Sequence, residues 1–132
     1  MMPLIEIVIA LALLQLMYFA MRVGAARGKY QVPAPATTGH EVFERYYRVQ
    51  MNTLEQIVVF VPALWLFGAH ISELWGAGLG VVYLIGRFLY LRSYVADPKK
   101  RSLGFGLSFL PTVALLLGGL GGAIATALGY SF

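Results

Sequence analysis

A stripe of polar and charged side chains enters the second apolar segment of this sequence, and its spacing predicts that the side chains act together. The stripe consists of Arg45, Arg48, Asn52 and Glu55. Intervals of 3, 4 and 3 residues place all four on one face of a helix. An ionisable group at membrane depth costs several kcal/mol unless it pairs or meets a polar ligand. The stripe therefore marks a candidate binding or catalytic site.

A second polar stripe occurs in the third apolar segment. It consists of Arg87, Tyr90 and Tyr94, at intervals of 3 and 4 residues. Arg101 follows one helical repeat later if the helix continues past Pro98. Buried Arg87 needs a partner, and Glu55 is the natural candidate at a similar depth. An ion pair between these two could also do no more than fix the register of two helices, so that alternative remains open.

The excess of cations over anions in the two stripes indicates the kind of ligand they would bind. Four arginines stand beside a single carboxylate, that of Glu55. Guanidinium groups bind carboxylates through paired hydrogen bonds, and Glu55 is available for an ammonium group. The residues therefore predict an anionic ligand that also carries an amine.

Composition assigns the chain to the membrane. Hydrophobic residues make up 59% of the 132 residues, charged residues only 12%, and the mean hydropathy is +0.74. A soluble domain of this size could not hide so much apolar surface. The chain has no cysteine, which excludes disulfide exchange, thiolate metal sites and a thiol nucleophile. His40 and His70 are far apart and show no metal-ligand spacing, so no metal is expected.

The basic residues fall in two windows, which predicts the orientation of the chain. All ten Lys and Arg residues lie in 22–48 and 87–101. This segregation is typical of two loops that face the cytoplasm, where Lys99 and Lys100 would meet anionic lipid headgroups. The charge pattern does not favour nucleic acid as a partner.

Four apolar segments predict an all-α integral membrane fold, a bundle of four transmembrane helices in one domain over 1–132. The predicted helices cover 3–27, 42–71, 74–96 and 102–130. An even number of spans puts both termini outside and the first and third loops in the cytoplasm. Two small-xxx-small pairs, Gly76 with Gly80 and Gly118 with Gly122, predict close helix packing.

The two polar stripes, taken together, resemble the pattern of a known family. The pattern from Phe43 to Glu55, coupled to Arg87, Tyr90, Tyr94 and Arg101, is similar to that of the MAPEG family of membrane-associated proteins in eicosanoid and glutathione metabolism. Ala26-Arg27 and Thr37-Thr38-Gly39 also fall at the family's separations. The resemblance covers nearly the whole chain. The family includes microsomal glutathione transferases, leukotriene C synthases and prostaglandin E synthases.

The resemblance implies a homotrimer that binds glutathione at protomer interfaces near the cytoplasmic side. By position, the glutathione ligands would be Arg48, Asn52, Glu55, Tyr90 and Tyr94. Arg87 would support them, and a neighbouring protomer would contribute Arg27 and Gln50. Arg101 matches the catalytic arginine that binds the glutathione sulfur as a thiolate. A thiol has a pKa of about 8.5, and an adjacent guanidinium favours the thiolate. The thiolate would then attack a lipophilic electrophile in the membrane.

Differences between this chain and particular members of the family bear on which activity is expected. Leukotriene C synthases carry a second arginine where this chain has Gly28, and a tyrosine where it has Gln56. The Arg101-Ser102 pair instead resembles prostaglandin E synthases. Many small residues and short loops look bacterial, which predicts an inner-membrane location. We therefore expect a general glutathione transferase, with glutathione-dependent peroxidase activity as a further expectation.

Two alternatives from other functional classes remain. A small four-helix exporter of cationic drugs would have this size, with Glu6 in the first helix as the proton carrier. The basic stripes have the wrong sign for a cationic cargo. A non-catalytic, lipid-binding regulator with the same fold would bind ligand without turning it over.

Overall fold

The computed structural model describes residues 1–130 and is all-helical, with four long helices. They are α1 (Pro3–Tyr30), α2 (Glu41–His70), α3 (Glu73–Ala96) and α4 (Ser102–Ala127). A short 3₁₀ turn, Pro98–Lys100, joins α3 to α4. Each long helix is long and apolar enough to cross a membrane. The observed ends lie within three residues of the predicted ones.

The helix starts follow from local side-chain chemistry. At the start of α2, the backbone N–H of Val42 donates to His40 Nδ1 (3.1 Å). At the start of α3, the N–H of Trp75 donates to Ser72 Oγ (3.2 Å). These side chains satisfy backbone donors that have no partner inside the helix. Pro3 begins α1, where the N–H that proline lacks is not needed.

The core lies between all four helices, and α4 contributes Leu115 to it. Ile5, Ala12 and Leu64 are fully buried there, and the rings of Phe60 and Tyr83 stack with centroids 3.7 Å apart. A second cluster includes Val23, Val32 and Phe43, and it packs the first loop against α1 and α2. Large apolar side chains are exposed on the outside of all four helices, as expected of surfaces that contact lipid.

The tightest helix contact joins α3 to α4. A Cβ on Gly104 would lie 2.4 Å from the backbone nitrogen of Tyr90. A Cβ on Gly86 would lie 2.7 Å from the carbonyl carbon of Leu107. Glycine at these two positions therefore lets the two backbones touch. This contact sets the short distance between the backbones of α3 and α4.

The glycines singled out from the sequence make contacts of another kind. A Cβ on Gly76 or Gly80 would meet side chains of α1, and one on Gly118 would meet the ring of Phe67. A Cβ on Gly122 would meet His70. The prediction of close packing is confirmed at all four. The closest backbone approach, at Gly86 and Gly104, was not predicted.

We expect Gly104→Ala to destabilise the protein, because the added methyl group meets backbone that cannot move aside. Overpacking of this kind costs about 1–3 kcal/mol, so thermal unfolding in detergent should occur at a lower temperature. Gly106→Ala is the matched control, since a Cβ there meets nothing within 4 Å. If the Gly104→Ala variant melts with the wild type, that result would contradict the close approach of α3 and α4.

Candidate functional site

The guanidinium of Arg87 is fully buried between three helices. Its Nη1 donates to Ser108 Oγ on α4 (3.1 Å). Its Nη2 donates to Asn52 Oδ1 (2.8 Å) and to Thr53 Oγ1 (2.9 Å) on α2. The guanidinium carbon lies 4.4 Å from the centre of the Tyr90 ring, a distance at which a cation and an aromatic face attract. Arg87 therefore ties α2, α3 and α4 together.

The predicted ion pair between Arg87 and Glu55 is wrong. Within residues 1–130 the one ion pair is that of Arg45 with Glu41, and Glu55 is exposed. The physical reason is the rotation of α2. Asn52 and Thr53 together face α3, and Glu55 lies about 110° round the helix from the direction midway between them. Neutral oxygens and a ring face therefore replace the expected carboxylate.

Arg87 also determines how the amide of Asn52 is oriented. A guanidinium can only donate hydrogen bonds, so the Asn52 atom that faces it must be the carbonyl oxygen. The amide nitrogen is then the polar atom of the side chain that remains for a ligand in the cavity that Asn52 lines. Asn52 therefore presents N–H donors to whatever occupies that cavity, and these suit a carboxylate or carbonyl oxygen.

A cavity of about 400 Å³ lies where α2, α3 and the start of α4 meet. Its walls are formed by Arg48, Asn52, Tyr90, Tyr94, Arg101 and Phe105. We call it the polar cavity. The tyrosine rings stack with centroids 5.4 Å apart. Five residues that were singled out from the sequence therefore line one space.

Arg101 reaches the polar cavity by a route that the sequence pattern did not describe. The helix does not continue past Pro98: α3 ends at Ala96, and the chain turns before α4 begins. Arg101 Nη1 donates to the carbonyl oxygen of Pro98 (3.1 Å), which holds the side chain beside the turn. The turn returns Arg101 to the side of α3 that carries Tyr94.

A second cavity, of about 450 Å³, continues from the polar cavity along α2 and α4. The two share Asn52 and Phe105. The remaining walls are Glu55, Gln56, Val59, Phe109, Thr112, Val113 and Leu116. We call it the apolar cavity, because aliphatic and aromatic side chains form most of its walls. Glu55 lies here, one helical turn from Asn52.

A third cavity, of about 430 Å³, adjoins the polar cavity at the loop end of the bundle. It shares Arg48 and Tyr94 with the polar cavity and also touches Gly39 in the first loop. Arg45 lies in its wall, and Nη1 donates to the carbonyl oxygen of Val95 (3.0 Å). Arg45 therefore caps the C-terminal end of α3.

Arg27 and Gln50 lie outside all three cavities. Arg27 Nη1 donates to the carbonyl oxygens of Val32 (3.3 Å) and Ala36 (2.7 Å). Its guanidinium carbon lies 4.8 Å from the centre of the Phe43 ring. Within a single chain, Arg27 therefore stabilises the first loop through these hydrogen bonds.

Three residues of the site were not predicted from the sequence: Thr53, Phe105 and Ser108. Thr53 is adjacent to Asn52 but does not fall at the spacing of the polar stripe, so the pattern did not single it out. The fourth helix carries no charge, so nothing in its composition marks one face. A signal is nevertheless present, because Phe105, Phe109, Thr112 and Leu116 recur at intervals of 4, 3 and 4 residues.

Comparison with known proteins gives one family and several similar relatives. The model of the MAPEG family matches residues 5–121. An uncharacterized protein of Synechocystis is 46% identical over 114 residues, covering 86% of this chain and 83% of that protein. Human microsomal glutathione S-transferase 2 is 44% identical over 105 residues, covering 79% and 71%. Bovine leukotriene C4 synthase is 38% identical over 84 residues, covering 64% and 56%.

We expect Arg87→Lys to destabilise the protein strongly. A lysine ammonium has all its donors on one nitrogen and lacks the planar fork that binds acceptors on both helices beside the Tyr90 ring, so a buried charge loses part of its hydrogen bonding. Losses of this type amount to roughly 3 kcal/mol or more, measured as a lower unfolding temperature in detergent. Arg92→Lys, at an exposed position of the same helix, is the control and should leave that temperature unchanged. If the two variants had equal unfolding temperatures, the hydrogen bonds around Arg87 would contribute little to stability.

Proposed function

Because the chain belongs to the MAPEG family, we propose that it is a membrane-bound glutathione transferase, which activates the glutathione thiol for attack on a lipophilic electrophile. The chain is a multi-pass membrane protein of a family whose members include glutathione-conjugating enzymes. The observation that carries the proposal is the pair of adjoining cavities. A polar cavity with two arginines meets an apolar one at Asn52 and Phe105.

Glutathione suits the polar cavity by its charges. It has two carboxylates, an amine and a thiol. Arg48 and the amide nitrogen of Asn52 bind a carboxylate, and the hydroxyl groups of Tyr90 and Tyr94 add further donors. Glu55 binds the amine from the adjoining wall. Arg87 does not touch the ligand in this arrangement, and it acts by holding the Asn52 amide.

The reaction depends on Arg101. Its guanidinium stabilises the glutathione sulfur as a thiolate, and the thiol proton passes to water. Each unit by which the thiol pKa falls corresponds to about 1.4 kcal/mol. The thiolate sulfur then forms a bond to the electrophilic carbon while the leaving group departs with the electron pair. Phe105 and the apolar cavity hold the electrophile next to the sulfur.

The same thiolate supports peroxidase activity. It attacks the terminal oxygen of a lipid hydroperoxide, the O–O bond breaks, and the lipid leaves as an alcohol after protonation. A second glutathione then displaces water from the oxidised sulfur and forms glutathione disulfide. Glutathione is the reductant in this sequence, so no redox metal is required.

The proposed enzyme would be a homotrimer with a defined orientation in the membrane. In a homotrimer, Arg27 and Gln50 would face the polar cavity of a neighbouring protomer, which accounts for two site residues that lie outside the cavities of their own chain. The basic first and third loops would face the cytoplasm of a bacterial inner membrane, with both termini outside. Glutathione would then enter from the cytoplasm through the third cavity. The exporter alternative gains no support, because Glu6 lies outside all three cavities.

Arg101→Ala should abolish thiolate formation. With glutathione bound, the wild-type protein in detergent should show the ultraviolet absorbance of a thiolate, and the variant should lose it. Conjugation of glutathione to a chlorodinitrobenzene should fall at least tenfold, which corresponds to one pKa unit. Lys100→Ala removes a neighbouring cation that does not line the polar cavity and should retain both signals. Normal thiolate absorbance in the Arg101→Ala variant would remove Arg101 from the mechanism.

Asn52→Asp should separate binding from stability. Aspartate still accepts the hydrogen bond from Arg87, so the unfolding temperature should not fall. Its second oxygen replaces the N–H donors with a negative charge, so calorimetry should show glutathione binding at least tenfold weaker, since about 1.4 kcal/mol is lost with one charge-assisted bond. Asn52→Ala removes both interactions and should lower stability as well as affinity. Unchanged affinity in the Asn52→Asp variant would mean that Asn52 does not face the ligand.

A further inference from the structure

One face of α1 lines two cavities that are separate from the site described above. At about 100° per residue, its residues fall within a sector of about 120° around the helix axis. They are Leu11, Leu14, Gln15, Tyr18, Arg22, Ala25, Ala26 and Lys29. The face is apolar in the middle of the helix and basic at its C-terminal end.

The basic end of this face forms a cleft of about 150 Å³ against α2. Arg22 and Lys29 stand at its two ends, with the small side chain of Ala25 between them. Arg22 Nη2 donates to the hydroxyl oxygen of Tyr46 (2.9 Å), so the hydroxyl proton of Tyr46 is free to donate into the cleft. Within the described part of the chain, no carboxylate lines this space. We call it the basic cleft.

The apolar part of the face forms a groove of about 340 Å³ against α3. Leu14, Tyr18 and Phe88 form its exposed walls, and the rings of Tyr18 and Phe88 lie 6.2 Å apart. Gln15 Nε2 donates to the carbonyl oxygen of Leu84 (2.8 Å), which holds α1 and α3 together at the groove. We call this the lipid groove.

The two spaces lie in line and match the dimensions of one lipid. Tyr18 lies one helical turn from Arg22, so the lipid groove begins where the basic cleft ends. From Arg22 to Leu11 is eleven residues, or about 16 Å at 1.5 Å per residue. Half the hydrocarbon thickness of a bilayer is about 15 Å. The distance from the cation of the cleft to the far end of the groove is therefore the depth of a single leaflet.

We propose that this face of α1 is a binding site for one anionic phospholipid, such as phosphatidylglycerol. Arg22, Lys29 and the Tyr46 hydroxyl bind its phosphate in the basic cleft, and an acyl chain lies in the lipid groove against the paired rings of Tyr18 and Phe88. Two cations and a hydroxyl donor form a phosphate site, and a free phosphate ion would satisfy the cleft alone. The adjoining groove favours a phosphate that carries a chain. The site does not involve glutathione and stands independently of the proposed enzyme activity.

Lipid retention by the full chain tests this site. Protein in detergent is supplied with dioleoyl phosphatidylglycerol or dioleoyl phosphatidylcholine, and native mass spectrometry measures the lipid retained. We expect the wild type to retain the anionic lipid preferentially. Arg22→Gln combined with Lys29→Gln should reduce that retention about thirtyfold, from the loss of two cations near the membrane surface. Lys99→Gln combined with Lys100→Gln removes equal charge from the second basic loop, where headgroup attraction is diffuse, and none from the cleft, so this variant should retain the bound lipid.

A second variant tests the shape of the cleft with its charges intact. Ala25→Leu fills the cleft at an exposed position, so it should also lose the anionic lipid. Retention by this variant, or equal losses from both double variants, would overturn the site in favour of diffuse attraction. A parallel measurement with inorganic phosphate distinguishes a site for free phosphate from a site for the lipid. If phosphate alone raises the unfolding temperature as much as phosphatidylglycerol does, the cleft binds free phosphate and the proposed lipid site is wrong.

Discussion

A guanidinium that has been removed from water must find hydrogen-bond acceptors for its N–H groups, and in this protein that requirement falls on Arg87. Its acceptors come from α2 and α4, while its own backbone belongs to α3. The hydrogen bonds of its two terminal nitrogens therefore set the relative position of three helices, while Nε has no hydrogen-bond partner among the described residues. The two glycines at the contact of α3 with α4 allow the close approach, since a Cβ on Gly86 would lie 2.7 Å from the backbone nitrogen of Ser108.

The arrangement around Arg87 has a chemical consequence as well as a structural one. A carboxylate partner, which can only accept hydrogen bonds, would have neutralised the charge and offered no N–H donor to a ligand beside it. Asn52 instead gives its oxygen to Arg87 and keeps its N–H donors for the polar cavity. The proposed transferase activity uses the boundary between this cavity and the apolar one, where a charged thiol compound and a lipophilic electrophile can meet. Phe105 stands at that boundary.

The outer surface of the bundle repeats the same division between charge and apolar surface. Along α1 the basic cleft lies at the loop end and the lipid groove lies deeper, as the charged and apolar parts of a phospholipid do. Both the polar cavity and the basic cleft lie near the basic loops. The two proposed ligands, glutathione and an anionic phospholipid, would therefore bind at different places in the bundle, one between α2, α3 and α4 and the other along α1.

The sequence alone determined what depends on neighbours along the chain. Apolar length defines the four helices, and the helical period places Arg48 with Asn52 and Tyr90 with Tyr94, because both are properties of a single segment. Tertiary structure decided what depends on how one helix is rotated and shifted against another. It gave Arg87 neutral partners in place of Glu55, brought Arg101 to the cavity through a turn, and added Phe105 and Ser108 from an uncharged helix. These contacts follow from backbone packing between helices, which no spacing within one segment encodes.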